Sequence, residues 1–319
     1  MVVVAVGLPC LACVGDLNGP NDAEAPFAVT AFRDLEPVIQ VPAFTLRLVA
    51  SPDGNELDFV SNRSLARFDV SGPAALTPID WTWLENGADR LVVEGDVRVW
   101  PTDSGAQLAR WTGAGWEDLP PSTIPARLVG FSDDYALISF DRTVSLVDRE
   151  TYLAGGATPE DVVATFAPPL AAFVAGEAAE RDGVVWIGVD DGVFAFEVDD
   201  PSTPILHLGD WMGDVVRVYG ATLVMRAGYD LLFYDISDAR HPVPLTHVRG
   251  GGNDFVVHGD YLYGVDRSSL TIVDLADPSS PTPVGWVPLE LECTSVAVND
   301  AAVFVACNGR VIRLEPNTP

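Results

Sequence analysis

Three features of the 319-residue sequence predict an all-β fold of radially packed four-stranded sheets, a β-propeller. A strand-and-turn motif recurs, it recurs about every 40 residues, and a segment near the N-terminus mirrors an outer strand near the C-terminus. The motif is clearest in Phe194-Ala-Phe-Glu-Val-Asp-Asp-Pro-Ser-Thr-Pro204, Leu232-Phe-Tyr-Asp-Ile-Ser-Asp-Ala-Arg-His-Pro242 and Thr271-Ile-Val-Asp-Leu-Ala-Asp-Pro-Ser-Ser-Pro281. Each is an apolar strand that ends in an acid and runs into Asp, Ser and Pro, residues that stop a ladder and form turns.

Weaker copies fall at residues 65–70, 97–100, 144–148 and 311–315. The position before each acid, or its equivalent, is Phe68, Trp100, Val147, Phe196, Tyr234, Val273 and Leu314, at intervals of 32, 47, 49, 38, 39 and 41 residues. Such a period, with no helical pattern inside it, fits four strands per repeat. One unit reads as strands at 254–258, 261–266, 270–274 and 284–288. Seven blades fit best; six plus an irregular element is the alternative, because the second unit is short. The segment 78–83 closes unit one or opens unit two, while 149–160 and 176–183 read as excursions.

The last repeat stops before an outer strand forms. Residues 37–42, Pro-Val-Ile-Gln-Val-Pro, mirror 283–288, Pro-Val-Gly-Trp-Val-Pro, so an N-terminal strand is expected to complete the last blade. Closure of this kind protects the first and last sheets from pairing with other chains. The expected organisation is a leader-like segment over 1–12, a linker over 13–36 and one propeller over 37–319.

Composition narrows the function classes. The net charge is −28, the pI is near 4.1, and all 18 basic residues are arginine. Nucleic-acid wrapping and docking on anionic lipid both need a cationic patch, and both are disfavoured. An apolar content of 48% supplies a core and excludes a disordered acidic chain.

These repeats resemble the LVIVD-repeat family of bacterial β-propellers. The likeness is carried by Leu270-Thr-Ile-Val-Asp-Leu-Ala-Asp-Pro-Ser-Ser-Pro281, Phe233-Tyr-Asp-Ile-Ser-Asp238 and Val256-Val-His-Gly-Asp-Tyr-Leu-Tyr263; it is good over 185–315 and thin before 150. The resemblance implies a propeller on an exported, often surface-associated protein. It brings no catalytic residues.

Residues 1–12, MVVVAVGLPCLA, have the length of a signal-peptide apolar region without its basic start. Cys10-Leu-Ala-Cys13 is similar to a bacterial lipobox, which nominates Cys13 for acylation after export. Cys293 and Cys307 flank a hairpin around Asn299-Asp300-Ala301. Symmetric folding about Asp300 places them opposite each other, within disulfide reach. A bridge there implies an oxidising compartment.

No hydrolase or phosphate-loop motif is present, and the histidines, His207, His241, His247 and His258, lack metal spacing. Gly250-Gly251-Gly252 reads as a between-blade loop. In such a fold the turns joining second to third strands share one face with the between-blade loops. Those turns are assigned to Asn62-Arg63, Glu94-Gly95-Asp96, Asp141-Arg142, Asp190-Asp191, Tyr229-Asp230, Asp266-Arg267 and Asn308-Gly309. Asp141, Asp190, Asp191, Asp230 and Asp266 are therefore the candidate ligands for Ca²⁺ or a polar molecule at the channel mouth. Ordinary turn chemistry accounts for the same residue types and is the preferred reading. Trp81, Trp211 and Trp286 are expected to pack between blades. Trp111 and Trp116 are the candidates for an exposed aromatic loop.

The expected function is that of an exported, lipid-anchored, monomeric binding module for protein or cell-envelope polymer partners, with no cofactor and no catalysis. The alternatives are a propeller hydrolase or lactonase-like enzyme with a divalent cation at the channel mouth, and an envelope scaffold or assembly factor.

Overall fold

A computed structural model describes residues 32–35 and, with short interruptions in loops and turns, residues 47–314. The described residues form seven four-stranded antiparallel sheets. Inner strands run at Arg47–Ala50, Val92–Glu94, Arg127–Phe131, Ala178–Arg181, Val216–Tyr219, Asp254–His258 and Cys293–Val298. Blades one to six end in outer strands at Thr77–Trp83, Trp116–Ser122, Val162–Phe166, Asp200–Leu208, Val243–Val248 and Thr282–Pro288. Blade six follows the sequence reading almost residue for residue. Thr77–Trp83 closes blade one rather than opening blade two.

The ring is clasped as expected, with a different segment as the clasp. Phe32–Leu35 pairs antiparallel with the third strand of blade seven, Phe32 opposite Leu314 and Leu35 opposite Val311. That strand lies inside the stretch read as linker, and residues 37–42 fall outside the described residues.

Sheets buried on both faces need apolar residues at consecutive positions, and Val184–Val189 is buried along its whole length. Each seam between neighbouring blades holds its own apolar cluster. Phe166, Val185, Phe194 and Phe196 fill the seam of blades three and four. Leu57, Phe59, Phe68 and Phe304 fill that of blades one and seven. Each such side chain contributes about 1.5–3 kcal/mol on burial, so the seams hold the ring together.

The seam of blades one and two is different. Among the described residues its apolar cluster has Val60, Leu65 and Leu91 as buried members. It also holds buried charge: Arg98 donates to Asp58 at 3.3 Å, Arg67 donates to the same carboxylate at 3.1 Å, and Asp58 is only 4% exposed. The Arg98 guanidinium also lies over the Trp116 ring at 4.5 Å and the Trp100 ring at 5.2 Å. Burial lowers the Arg98 pKa to about 10 despite Asp58, and burial raises that of Asp58 despite both arginines.

Two boundaries correct the sequence reading. In blade two, Val97–Thr102 is the second strand and Gly105–Trp111 the third, so Glu94-Gly95-Asp96 joins first to second strand. The register shows why. The acid that ends the third strand pairs with the first residue of the second in Glu56↔Asp69, Tyr135↔Asp148, Thr222↔Asp235 and Tyr261↔Asp274. In blade two that pair is Val97↔Arg110, with no acid to mark it. With Ala109 in place of Trp100, the intervals of 32 and 47 become 41 and 38.

The second correction concerns the two excursions. Residues 176–183 contain the inner strand of blade four, Ala178–Arg181. Residues 149–160 contain a helix, Arg149–Ala154, where no helical pattern was expected. Asp148 caps it, accepting from Thr151 N at 2.8 Å.

Cys293 and Cys307 are bonded and fully buried. Their hairpin is not symmetric about Asp300: Val298 faces Val303 and Ser295 faces Ala306. A one-residue bulge at Thr294 then brings Cys293 back opposite Cys307.

Candidate interaction face

Inner strands begin, and second strands end, on the same face of the ring. At its centre the first residues of several inner strands converge into a charge network. Arg217 donates from Nε to Glu177 Oε2 and from Nη2 to Glu177 Oε1, both at 2.6 Å, and lies 3.3 Å from Asp254 Oδ1. Its Nη1 donates to the Phe255 carbonyl. Ser295 Oγ donates to Asp254 Oδ2 at 2.5 Å and accepts from Leu48 N at 3.0 Å.

Arg47 reaches Glu177 at 3.6 Å. Blades one and four are not neighbours, so this ion pair spans the axis of the ring. Burial opposes the Arg217 charge, yet Glu177, with Tyr219 and Asp254, outweighs it and raises the guanidinium pKa. Burial pushes the Tyr219 hydroxyl up to about 12, with Arg217 pulling the other way. The network ties blades four, five, six, seven and one at the axis, a structural use of buried charge.

Around this centre the second-to-third turns carry exposed aromatic groups. Phe140, at the end of the second strand of blade three, is 60% exposed, and Tyr229, in the turn of blade five, is 48% exposed. The Arg267 guanidinium lies over the Tyr229 ring at 4.8 Å and pairs with Glu292 at 3.4 Å. At the ends of outer strands, the His207 ring stacks on Phe194 and His247 Nε2 lies 2.7 Å from Asp230 Oδ2.

Of the carboxylates nominated from the sequence, Asp190, Asp230 and Asp266 fall among the described residues, and each lies at the turn of a different blade. Asp266 Oδ1 accepts from Ser268 N at 2.7 Å and Ser269 N at 2.6 Å, and its Oδ2 accepts from Ser269 Oγ at 2.9 Å. Asp230 Oδ1 accepts from Gly250 N at 3.0 Å while Oδ2 meets His247. Both serve their own turns and loops. Asp190 sits exposed in its turn; Asp141, Asp191 and Cys13 lie outside the described residues. Among the described residues no three His, Cys, Asp or Glu side chains gather as a metal site. Gly250, at φ +82°, belongs to the between-blade loop as expected, and a Cβ there would sit 2.8 Å from Asp266 Oδ2.

The tryptophans also differ from expectation. Trp111 and Trp116, the candidates for an exposed loop, with packing against the neighbouring blade the preferred reading, pair across the third and outer strands of blade two, their rings 5.3 Å apart and both half-buried. Trp286, on the outer strand of blade six, is 50% exposed instead of packed between blades. Trp81 lies in the outer strand of blade one, and Trp211 is outside the described residues.

Sequence reasoning missed the axial network. Its signal was a charged residue immediately ahead of the apolar run of an inner strand: Arg47-Leu-Val, Asp254-Phe-Val and, one residue in, Arg217-Val-Tyr.

Residues 249–287 match the LVIVD repeat family. No curated protein sequence matches the chain. Among solved structures it is similar to BamB from Moraxella catarrhalis, at 11% identity and a TM-score of 0.55, over 92% of this chain and 98% of that one. A chain in a structure of the Mitotic Checkpoint Complex gives 11% identity and a TM-score of 0.63 over 95% and 100%. The computationally designed Ika8 protein gives 10% identity and 0.55 over 88% and 99%. At these identities the likeness establishes the fold: a seven-bladed β-propeller, here carrying an LVIVD repeat.

Proposed function

We propose that this propeller is an exported, monomeric interaction module that docks a protein or envelope-polymer partner on the face of its second-to-third turns. The observation that carries the reading is the pair of solvent-facing aromatics Phe140 and Tyr229 on one face, the latter with Arg267 over its ring. Aromatic and arginine side chains of this kind are enriched among the residues that dominate interface energetics, because they bury large area in the interface centre. The axial network gives that face a rigid centre. A propeller chain within the Mitotic Checkpoint Complex supplies a precedent of the same fold inside a protein assembly.

Export is supported by the buried Cys293–Cys307 bridge, a bond that persists in oxidising compartments. Anchoring through acylated Cys13 completes the proposal.

The test is affinity capture from the native host's envelope, comparing the wild type with the double variant Phe140→Ser, Tyr229→Ser. A partner retained by the wild type and lost from the variant supports the reading, whereas equal capture by both removes the face from it. For the anchor, Cys13→Ser should move the protein from the membrane to the soluble fraction; unchanged fractionation contradicts acylation.

A further inference from the structure

The outer strand of a propeller blade leaves one backbone edge unpaired, and natural sheets blunt such edges with proline, charge or bulges. Four blades do this identically. The third-strand residue before the acid faces a proline in Phe68↔Pro78, Phe196↔Pro204, Tyr234↔Pro244 and Val273↔Pro283. Proline has no N–H to offer a further strand. The next residue, Ile79, Ile205, Leu245 or Val284, is the extra residue of a bulge. Blade two carries Pro120-Pro121 in its outer strand, and the clasp strand of blade seven carries Arg33-Asp34.

Blade three departs from the pattern. Its equivalent pair is Val147↔Val162, and the strand Val162-Val-Ala-Thr-Phe166 contains neither proline nor charge. Val163, its bulge residue, is 58% exposed. The insertion before it fixes the strand's entry, since Thr158 N and Oγ1 both donate to Asp161 Oδ2, at 2.7 and 2.9 Å. The same insertion covers blade two, whose Thr123 N donates to the Ala157 carbonyl at 3.0 Å. Among the described residues the edge of blade three is thus positioned and keeps only its bulge as a guard, without the proline or charge of the other blades, and its β-branched residues favour strand pairing.

We propose that Val162–Phe166 is a second contact surface, where an extended cationic segment of a partner protein adds a fifth strand by backbone pairing. Charge selects this occupant. A net charge of −28 opposes a second copy of this chain, and exposed Glu160 at the head of the strand favours Lys or Arg opposite it. The surface lies on the rim, apart from the aromatic turn face.

The test uses the full chain and a synthetic ten-residue peptide alternating Lys with Val or Thr. Controls are the same peptide with Glu for Lys, and a Pro-interrupted peptide of unchanged charge. Anisotropy reads binding and amide hydrogen exchange reads the site. The wild type should bind the Lys peptide, protect the amides of residues 162–166, and bind either control at least tenfold more weakly.

Val162→Pro installs the residue of the other blades at a φ of −72°, which proline accepts. Val163→Lys guards the edge through an exposed side chain should the first variant not fold. Both should weaken binding at least tenfold, and Phe140→Ser, Tyr229→Ser should not. The proposal is overturned by no binding, by equal binding of the Pro-interrupted peptide, by affinity unchanged in the edge variants, or by a dimer formed through this strand.

Discussion

The two faces of the ring are made by one chain meander and differ in what they expose. First-to-second and third-to-fourth connections share one face, and there the turns are acidic. Asp235 accepts from Ser237 N at 2.8 Å, Asp274 from Ala276 N at 2.8 Å and Asp277 from Ser279 N at 3.0 Å. Asp134, Glu180, Asp182, Glu197, Asp199 and Arg240 line a shallow cavity of about 310 Å³ on that side. The other face carries Phe140, Tyr229 and Arg267 around a neutralised axial network. Asx turns occur on both faces, Asp266 among them on this one, and what sets this face apart is its exposed aromatic side chains. Of the carboxylates expected at the second-to-third turns, Asp190, Asp230 and Asp266 lie at such turns, whereas Glu94-Gly95-Asp96 joins first to second strand.

The comparison presupposes a closed ring, which gives the largest predicted effect. Deleting residues up to Leu35 leaves the third strand of blade seven paired on one edge only. Calorimetry should then show the single cooperative transition replaced by a broad one; a sharp transition at the wild-type temperature breaks the clasp.

Next comes the charged seam of blades one and two. Asp58→Ala strands Arg98 without its carboxylate and should cost about 3–5 kcal/mol in denaturant unfolding. Asp190→Ala, on an exposed turn, should stay within about 0.5 kcal/mol. Equal effects would dissolve the distinction between seam charge and turn charge.

Cys293→Ala should cost about 2–4 kcal/mol. An added reductant should lower wild-type stability and leave the variant unaffected, and the lack of that contrast argues against the bridge.

The smallest effect is a pH dependence of opposite sign at seam and turn. Asp235 is held below the ordinary carboxylate value by Ser237 N–H, and Asp238 by His241 and then Arg240. Their contribution is present above about pH 4 and lost as the pH falls through the lowered folded values. Asp58 is raised by burial, so its contribution is full below about pH 4 and fades as the pH rises through its folded value. Amide exchange should therefore loosen the blade-five turn on acidification, and Asp58→Asn should flatten the stability profile above pH 4. A turn that tightens in acid contradicts the assignment.

Legibility in the sequence followed turn chemistry. Blade six was readable because Asp266 and Asp274 each stop a strand, and Asp277 shapes the following turn, with a side chain that accepts from backbone N–H groups close behind. Blade two slipped by one strand because Arg110, 3.6 Å from Asp96, stands where the other blades place an acid. The cysteine pair was found through a symmetry the hairpin does not have, and the bulge at Thr294 corrected the error by one residue. The clasp was predicted from a Pro-x-x-x-x-Pro likeness, yet the pairing strand is Phe32-Arg-Asp-Leu35, where no such motif exists. The axial network was missed because its signal is one charged residue at the head of an inner strand, and the pairings join different blades, Arg47 with Glu177 across the axis itself.

The most direct test of the two-face account is a paired photo-crosslinking scan in the native host. A photoreactive residue is placed singly at Phe140 and Tyr229 on one side, and at Asp134 and Asp199 on the other. The account predicts protein or polymer adducts from the first pair and none from the second. Adducts from the acidic side alone, or equally from both, would contradict it.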